Sequence, residues 1–173
     1  LVDLYDRSNQ PLEVDNFTIT FNGEIYNHKE LRKKLKQSGH SFRTLSDTEV
    51  IIKSFKEWGI KAFNKFNGCF AFILYDKKNE KLYVVRDPIG KKQIVYIKAK
   101  NGDWIFASEI KAILKHPFVD AEPNINRFIA DLVFKFFTDK KETHFKDIFH
   151  VPAGHYFIFD LKMILSMEPS ILI

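Results

Sequence analysis

The tightest constraint in this chain of 173 residues is the run Cys69 to Tyr75. It reads Cys-Phe-Ala-Phe-Ile-Leu-Tyr, apolar on both faces, so as a strand it must be covered on two sides. Asp76 to Glu80 then turns the chain back into a second strand-forming run, Lys81 to Val85. A strand buried on both faces inside an antiparallel hairpin needs a packed layer above and below it. The 18 Phe, in a chain that is 45% hydrophobic, supply the apolar area for such a core and exclude intrinsic disorder.

The rest of the sequence fills in those layers. Asn16 to Phe21 alternates polar and apolar residues at period two and is expected to end as a strand at Asn22-Gly23. Asn27 and Glu30 have capping-box spacing, with Tyr26 placed to staple onto Leu31, and the helix they open should close at Gly39. Ser46 and Glu49 repeat the pattern ahead of Ile51, Phe55 and Trp58, with Gly59 as the stop. A further hairpin is expected from Gln93 to Ile97 and Asp103 to Ala107, turning at Asn101-Gly102. Ser108 to Leu114 reads as a short helix that Pro117 ends. Ile125, Phe128, Ile129, Leu132, Val133 and Phe136 recur at helical spacing and predict an amphipathic helix. A last hairpin is expected to turn at Pro152-Ala153-Gly154 into a strand from His155 to Leu161. There is no internal repeat or low-complexity run, and the class is α+β, antiparallel sheet covered by helices.

Charge and cysteine content narrow the function. The net charge of +5 comes mostly from Lys, with 5 Arg among the 27 basic residues, whereas phosphate and base recognition leans on Arg. The densest basic group, Lys29, Arg32, Lys33, Lys34 and Lys36, falls on the outer face of a helix whose inner face is Leu31 and Leu35, so a solvated face is expected rather than a nucleic-acid partner. One cysteine excludes a disulfide framework and favours a reducing, cytoplasmic setting. No apolar run approaches the roughly twenty residues of a bilayer helix, so no membrane partner is expected. The six His show no metal-ligand spacing, and no metal is expected. Cys69 lies between Gly68 and an apolar run, which is the setting of an inert core thiol.

Three short segments could carry chemistry. Asn22-Gly23-Glu24 sits between a strand and a helix, where a side-chain amide and a glycine N–H can converge on an oxyanion. Asn-Gly is also a common turn, the simpler reading on residue type alone. Asp47, one residue into a capped helix, complements the helix dipole, and the same carboxylate can bind an ammonium group. Arg86-Asp87-Pro88-Ile89-Gly90 reads as an ordered turn with an internal ion pair.

Taken together, Phe21-Asn22-Gly23-Glu24-Ile25-Tyr26-Asn27, Leu45-Ser46-Asp47-Thr48-Glu49-Val50, Gly68-Cys69-Phe70-Ala71-Phe72, Arg86-Asp87-Pro88-Ile89-Gly90 and Phe106-Ala107-Ser108-Glu109 resemble the class II glutamine amidotransferase domain. The Glu-Ile-Tyr-Asn continuation and the stretch Val151-Pro152-Ala153-Gly154-His155 are most similar to the glutaminase domain of the glutamine-hydrolysing asparagine synthetases. The resemblance implies an N-terminal-nucleophile hydrolase fold, an αββα sandwich of two antiparallel sheets, over residues 1–165, with 166–173 as a C-terminal tail. It implies that an amino-terminal cysteine attacks the side-chain amide of L-glutamine with its own α-amine as base, an amine whose pKa of about 7.7–8 suits the task. It makes Asn22 and Gly23 the oxyanion hole, assigns Glu24 and Asp47 to glutamine binding with Asp47 facing the α-ammonium, and leaves Val2 lining the pocket.

The departures from the family set further expectations. Leu1-Val2-Asp3-Leu4 resembles the segment just after the family's Arg-Leu-Ser, so the domain is expected to be N-terminally truncated, without its nucleophile, and the chain as given inactive on glutamine. Cys69, at a core-strand position, is not expected to substitute. The partners implied are L-glutamine and a C-terminal ATP-dependent synthetase domain that amidates aspartate, with a second copy in a homodimer as a further option. No cofactor is expected in this domain, and ATP and magnesium belong to the synthetase domain. The alternative is a non-catalytic amidotransferase-like module with a binding or regulatory role.

Overall fold

The computed structural model describes residues 9–134, 141–162 and 170–172. Its elements are β1 (Leu12–Val14), β2 (Phe17–Ile25), α1 (His28–Gln37), α2 (Asp47–Trp58), a 3-10 helix (Gly59–Lys65), β3 (Gly68–Asp76), β4 (Lys81–Arg86), β5 (Val95–Lys98), β6 (Trp104–Ala107), α3 (Ile110–Ile113), α4 (Ile125–Phe134), β7 (Phe149–His150), β8 (Tyr156–Asp160) and β9 (Ser170–Leu172). They form one sheet in the order β1-β2-β3-β4-β8-β9 and a second in the order β6-β5-β7. Every pairing is antiparallel. Strand β9 lies within the segment 166–173 expected as a tail.

The two-faced strand organises the layers as its sequence demands. On one side of β3, Phe70, Phe72 and Leu74 pack with Ile19 and Ile25 of β2 and with Leu31, Leu35, Val50 and Ile51 of α1 and α2. On the other side, Ala71 and Ile73 meet a second cluster that contains Val84, Phe157, Phe159 and Tyr96 of the second sheet. Alternation in β5 sends Tyr96 inward and leaves Val95 and Ile97 for a third cluster with Ile113 of α3 and Ile148. The order of layers is therefore helices, six-stranded sheet, three-stranded sheet, then α3, which is the αββα sandwich.

Several local expectations change. β2 does not end at Asn22-Gly23 but runs to Ile25, because its partner β3 continues the ladder as far as Gly68 opposite Ile25. Asn27 precedes α1, yet its side chain does not cap it. It donates to Lys65 O at 2.8 Å and accepts from Asn67 N–H at 3.0 Å, fastening the helix start to the approach into β3. Glu30 pairs with Lys34 instead, and Tyr26 is 59% exposed rather than stapled inward. Ser46 does cap α2, while fully buried Glu49 turns back to the N–H groups of Arg43 and Thr44 and to the Thr44 hydroxyl. The Pro152-Gly154 turn joins no hairpin: β7 pairs with β5 and β8 with β4, so the chain crosses there from the second sheet to the first.

Candidate functional site

The extension of β2 puts Asn22 and Glu24 on a continuous strand, where residues two apart share a face. Their antiparallel partners are Ala71 and Cys69, and Ala71 belongs to the cluster between the sheets. Asn22 and Glu24 therefore face the second sheet, and both remain exposed. Asn22 Nδ2 reaches across to Ser108 Oγ at 3.4 Å, just past the end of β6. A cleft of about 210 Å³ opens between the sheets here, with Thr20, Asn22, Ile73, Ile94, Phe106 and Ser108 among its walls.

Gly23 fixes the geometry beside Asn22. Its φ is +139°, a region that side chains rarely adopt, and a Cβ there would stand 2.1 Å from the Cys69 carbonyl oxygen and 2.8 Å from Phe70 Cα. Directly along the ladder, a Cβ on Gly68 would meet the Glu24 carbonyl oxygen at 2.1 Å. Two glycines thus let β2 and β3 approach more closely than side chains permit, which explains why the Asn-Gly pair here is strand and not turn.

Asp47 enters from the helical layer. It begins α2 behind the Ser46 cap, is buried, and its Oδ2 accepts the Ile25 N–H at 3.0 Å. A carboxylate is thereby held one peptide from Glu24, at the end of β2 beyond the cleft walls. The structure brings Asn22, Gly23, Glu24 and Asp47 to one end of one strand, and Val2 lies outside the described residues.

Cys69 differs from its expected burial. It is half-buried and opposite Glu24, with Tyr26 the next residue on that face. The inter-sheet core closes over Ala71, and the neighbours one step further along, Glu24 and Tyr26, are exposed. The Tyr26 hydroxyl titrates above its ordinary range because of the Cys69 hydrogen bond and charge, with burial and the carboxylates of Glu24 and Asp87 adding to the effect.

The Arg86-Asp87 turn also differs. Instead of pairing with each other, both side chains bind backbone. Arg86 donates to the carbonyls of Lys92 at 2.9 Å, Val151 at 2.6 Å and Gly90 at 2.7 Å. Asp87 is fully buried and accepts from the N–H groups of Phe70, Ile89, Lys91 and Lys92. This knot anchors the first turn of β3 beside Cys69.

Two features of the site escape sequence reasoning. Ser108 touches Asn22 across 86 residues of chain, and strand register sets Cys69 opposite Glu24. The signal for Ser108 is its place in the Phe-Ala-Ser-Glu segment, which carries no chemical pattern of its own. Among the described residues no group of His, Cys, Asp and Glu could hold a metal, and no helix is long and apolar enough to cross a membrane.

Comparison with known proteins identifies the family of this fold. Residues 1–167 match the model of the glutamine amidotransferase domain, and the chain belongs to that family. It is 45% identical over 107 residues to asparagine synthetase [glutamine-hydrolyzing] 3 of Bacillus subtilis (strain 168), covering 62% of this chain and 17% of that protein. It is 33% identical over 178 aligned positions to the putative asparagine synthetase [glutamine-hydrolyzing] 2 of Methanocaldococcus jannaschii, covering 93% of this chain and 34% of that one. The chain thus spans only a minor part of the length of these curated relatives. In structure it resembles the glutamine phosphoribosylpyrophosphate amidotransferase from B. subtilis, with a TM-score of 0.60 and 21% identity over 95% of this chain and 32% of that one. That likeness speaks to fold alone, an α+β sandwich of two antiparallel sheets with helical layers.

Proposed function

We propose that this chain is the glutaminase part of an asparagine synthetase, which releases ammonia from L-glutamine for the ATP-dependent amidation of aspartate in a separate C-terminal domain. The observation that carries it is the Asn22-Gly23 pair, held by strand pairing at the mouth of the inter-sheet cleft with the Asp47 carboxylate fixed nearby. A thiolate attacking the glutamine side-chain carbonyl places negative charge on its oxygen. Asn22 Nδ2 and the Gly23 N–H are the donors that stabilise this oxyanion. The amino-terminal cysteine's α-amine, having taken the thiol proton, gives it to the departing nitrogen, ammonia leaves, and water releases glutamate from the thioester. Asp47 Oδ2 is taken by Ile25, and Oδ1 meets the α-ammonium while Glu24 holds the same substrate from the strand. ATP and magnesium belong to the synthetase domain, and this chain's own site uses no cofactor. The setting is cytoplasmic.

The nucleophile is an amino-terminal cysteine from outside these 173 residues, since Cys69, inside β3, has no free α-amine to act as base. The 173 residues alone are therefore expected to release no ammonia from glutamine. Turnover that Cys69→Ser abolishes makes Cys69 the nucleophile and overturns this reading. Calorimetric titration with L-glutamine tests the pocket without turnover. Asp47→Asn keeps an acceptor for Ile25 but removes the charge, and should weaken binding about tenfold to a hundredfold, the loss of a charged hydrogen bond of about 1.5–3 kcal/mol. Equal affinity in the two proteins removes Asp47 from the site.

A further inference from the structure

Helix α4 is inside out. Its apolar stripe points to solvent: Ile125 is 60% exposed, Ile129 53%, Leu132 79% and Val133 64%, with Phe128 at 44%. Its inner face is polar. Asn124 Oδ1 accepts the Arg127 N–H at 3.1 Å and its Nδ2 donates to Glu142 Oε2 and Thr143 O. Arg127 and His144 both bind the Asp131 carboxylate, His144 Nε2 at 2.7 Å from Oδ2. A helix held by its polar side leaves an apolar patch on the order of several hundred Å² in water, a size that marks interaction surfaces rather than scattered surface residues. The outer face carries no charge, in a chain with 27 Lys and Arg.

We propose that this face of α4 is the docking surface for a further domain of the same polypeptide, through an uncharged apolar surface on that domain. The inference rests on reading the chain as part of a larger synthetase. The matched relatives are several times longer than the region they share with it, so a large remainder needs a place to pack. A second copy of this chain would bring together two bodies of formal charge +5, whereas a domain in cis is already tethered at high effective concentration.

Hydrogen–deuterium exchange of α4 in the 173-residue chain and in the polypeptide extended along its own reading frame tests this. The α4 amides should exchange at least tenfold more slowly in the extended protein. Leu132→Asp should remove that protection while leaving the thermal midpoint of the 173-residue chain unchanged, since the side chain is 79% exposed there. Equal exchange in both proteins overturns the proposal. So does a reading frame that ends without a further domain, or protection in the short chain that grows with concentration and disappears in Leu132→Asp, which assigns the face to a second copy. L-glutamine calorimetry on the same extended samples separates the two readings. Protected α4 without glutamine binding sinks the functional reading alone, and glutamine binding with unprotected α4 sinks the docking surface alone.

Discussion

Gly23 shows how one residue can serve fold and site together. Its backbone conformation and the 2.1 Å that would separate a Cβ from the Cys69 carbonyl make any side chain costly at that point. Gly23→Ala is expected to lose about 2–4 kcal/mol, the sum of a strained φ and a backbone clash, read as a lower urea midpoint at unchanged slope. The loss should be much larger than at Gly102, where a Cβ meets nothing within 4 Å. A Gly23→Ala variant as stable as the parent would mean that the two strands are not packed this closely. Asn22 was legible as a candidate from residue type, but its orientation was not. A strand and a turn point the same amide in different directions, and only the pairing with β3 selects one.

At the scale of elements, the stretch from Gly59 to Lys65 is the clearest case of structure beyond sequence pattern. It is a 3-10 helix that no periodicity marks, yet Phe63 within it meets Phe55, Phe66, Phe72, Tyr83 and Tyr156. It ties α2, two strands of the central hairpin and β8 into one aromatic cluster. Phe63→Ala should cost about 3–5 kcal/mol, with Phe63→Leu recovering most of it, measured by denaturant unfolding. A loss below about 1 kcal/mol would show that this segment is an appendage to the core. Helices α1 and α2 were readable because their buried sides repeat at helical spacing, Leu31 with Leu35 and Ile51 with Phe55. The same rule gave α4 its existence but not its orientation, because periodicity identifies a stripe and not what the stripe faces.

Across the whole molecule, the knot at Arg86 and Asp87 joins parts that sequence keeps far apart. Arg86 holds Val151 O at the crossing between sheets, the Gly154 N–H reaches the Asp87 carbonyl at 2.9 Å, and the Asp87 carboxylate holds the start of β3. Burial raises the Asp87 pKa, but the N–H groups of Lys92, Lys91, Phe70 and Ile89 outweigh it and the group titrates below its ordinary range. Its folded pKa is therefore the lower one, so its stabilisation is complete above the unfolded value of about 3.9 and is lost as pH falls through the folded pKa. Asp87→Asn should cost about 2–3 kcal/mol at pH 7 and flatten the acid side of the stability profile below about pH 4. An unchanged acid limb would assign that limb to other carboxylates. The sequence by itself determined the layered α+β class, most helices and strands, and the motif residues of the family, because alternation, helical spacing and capping are local properties of the chain. Tertiary structure alone decided that β2 runs on through Gly23, that β7 and β8 part into different sheets, that Arg86 and Asp87 bind backbone, and that α4 turns its apolar face outward. Each of these depends on which distant backbone supplies the hydrogen bond or which surface covers the side chain, and neighbouring residues do not encode either.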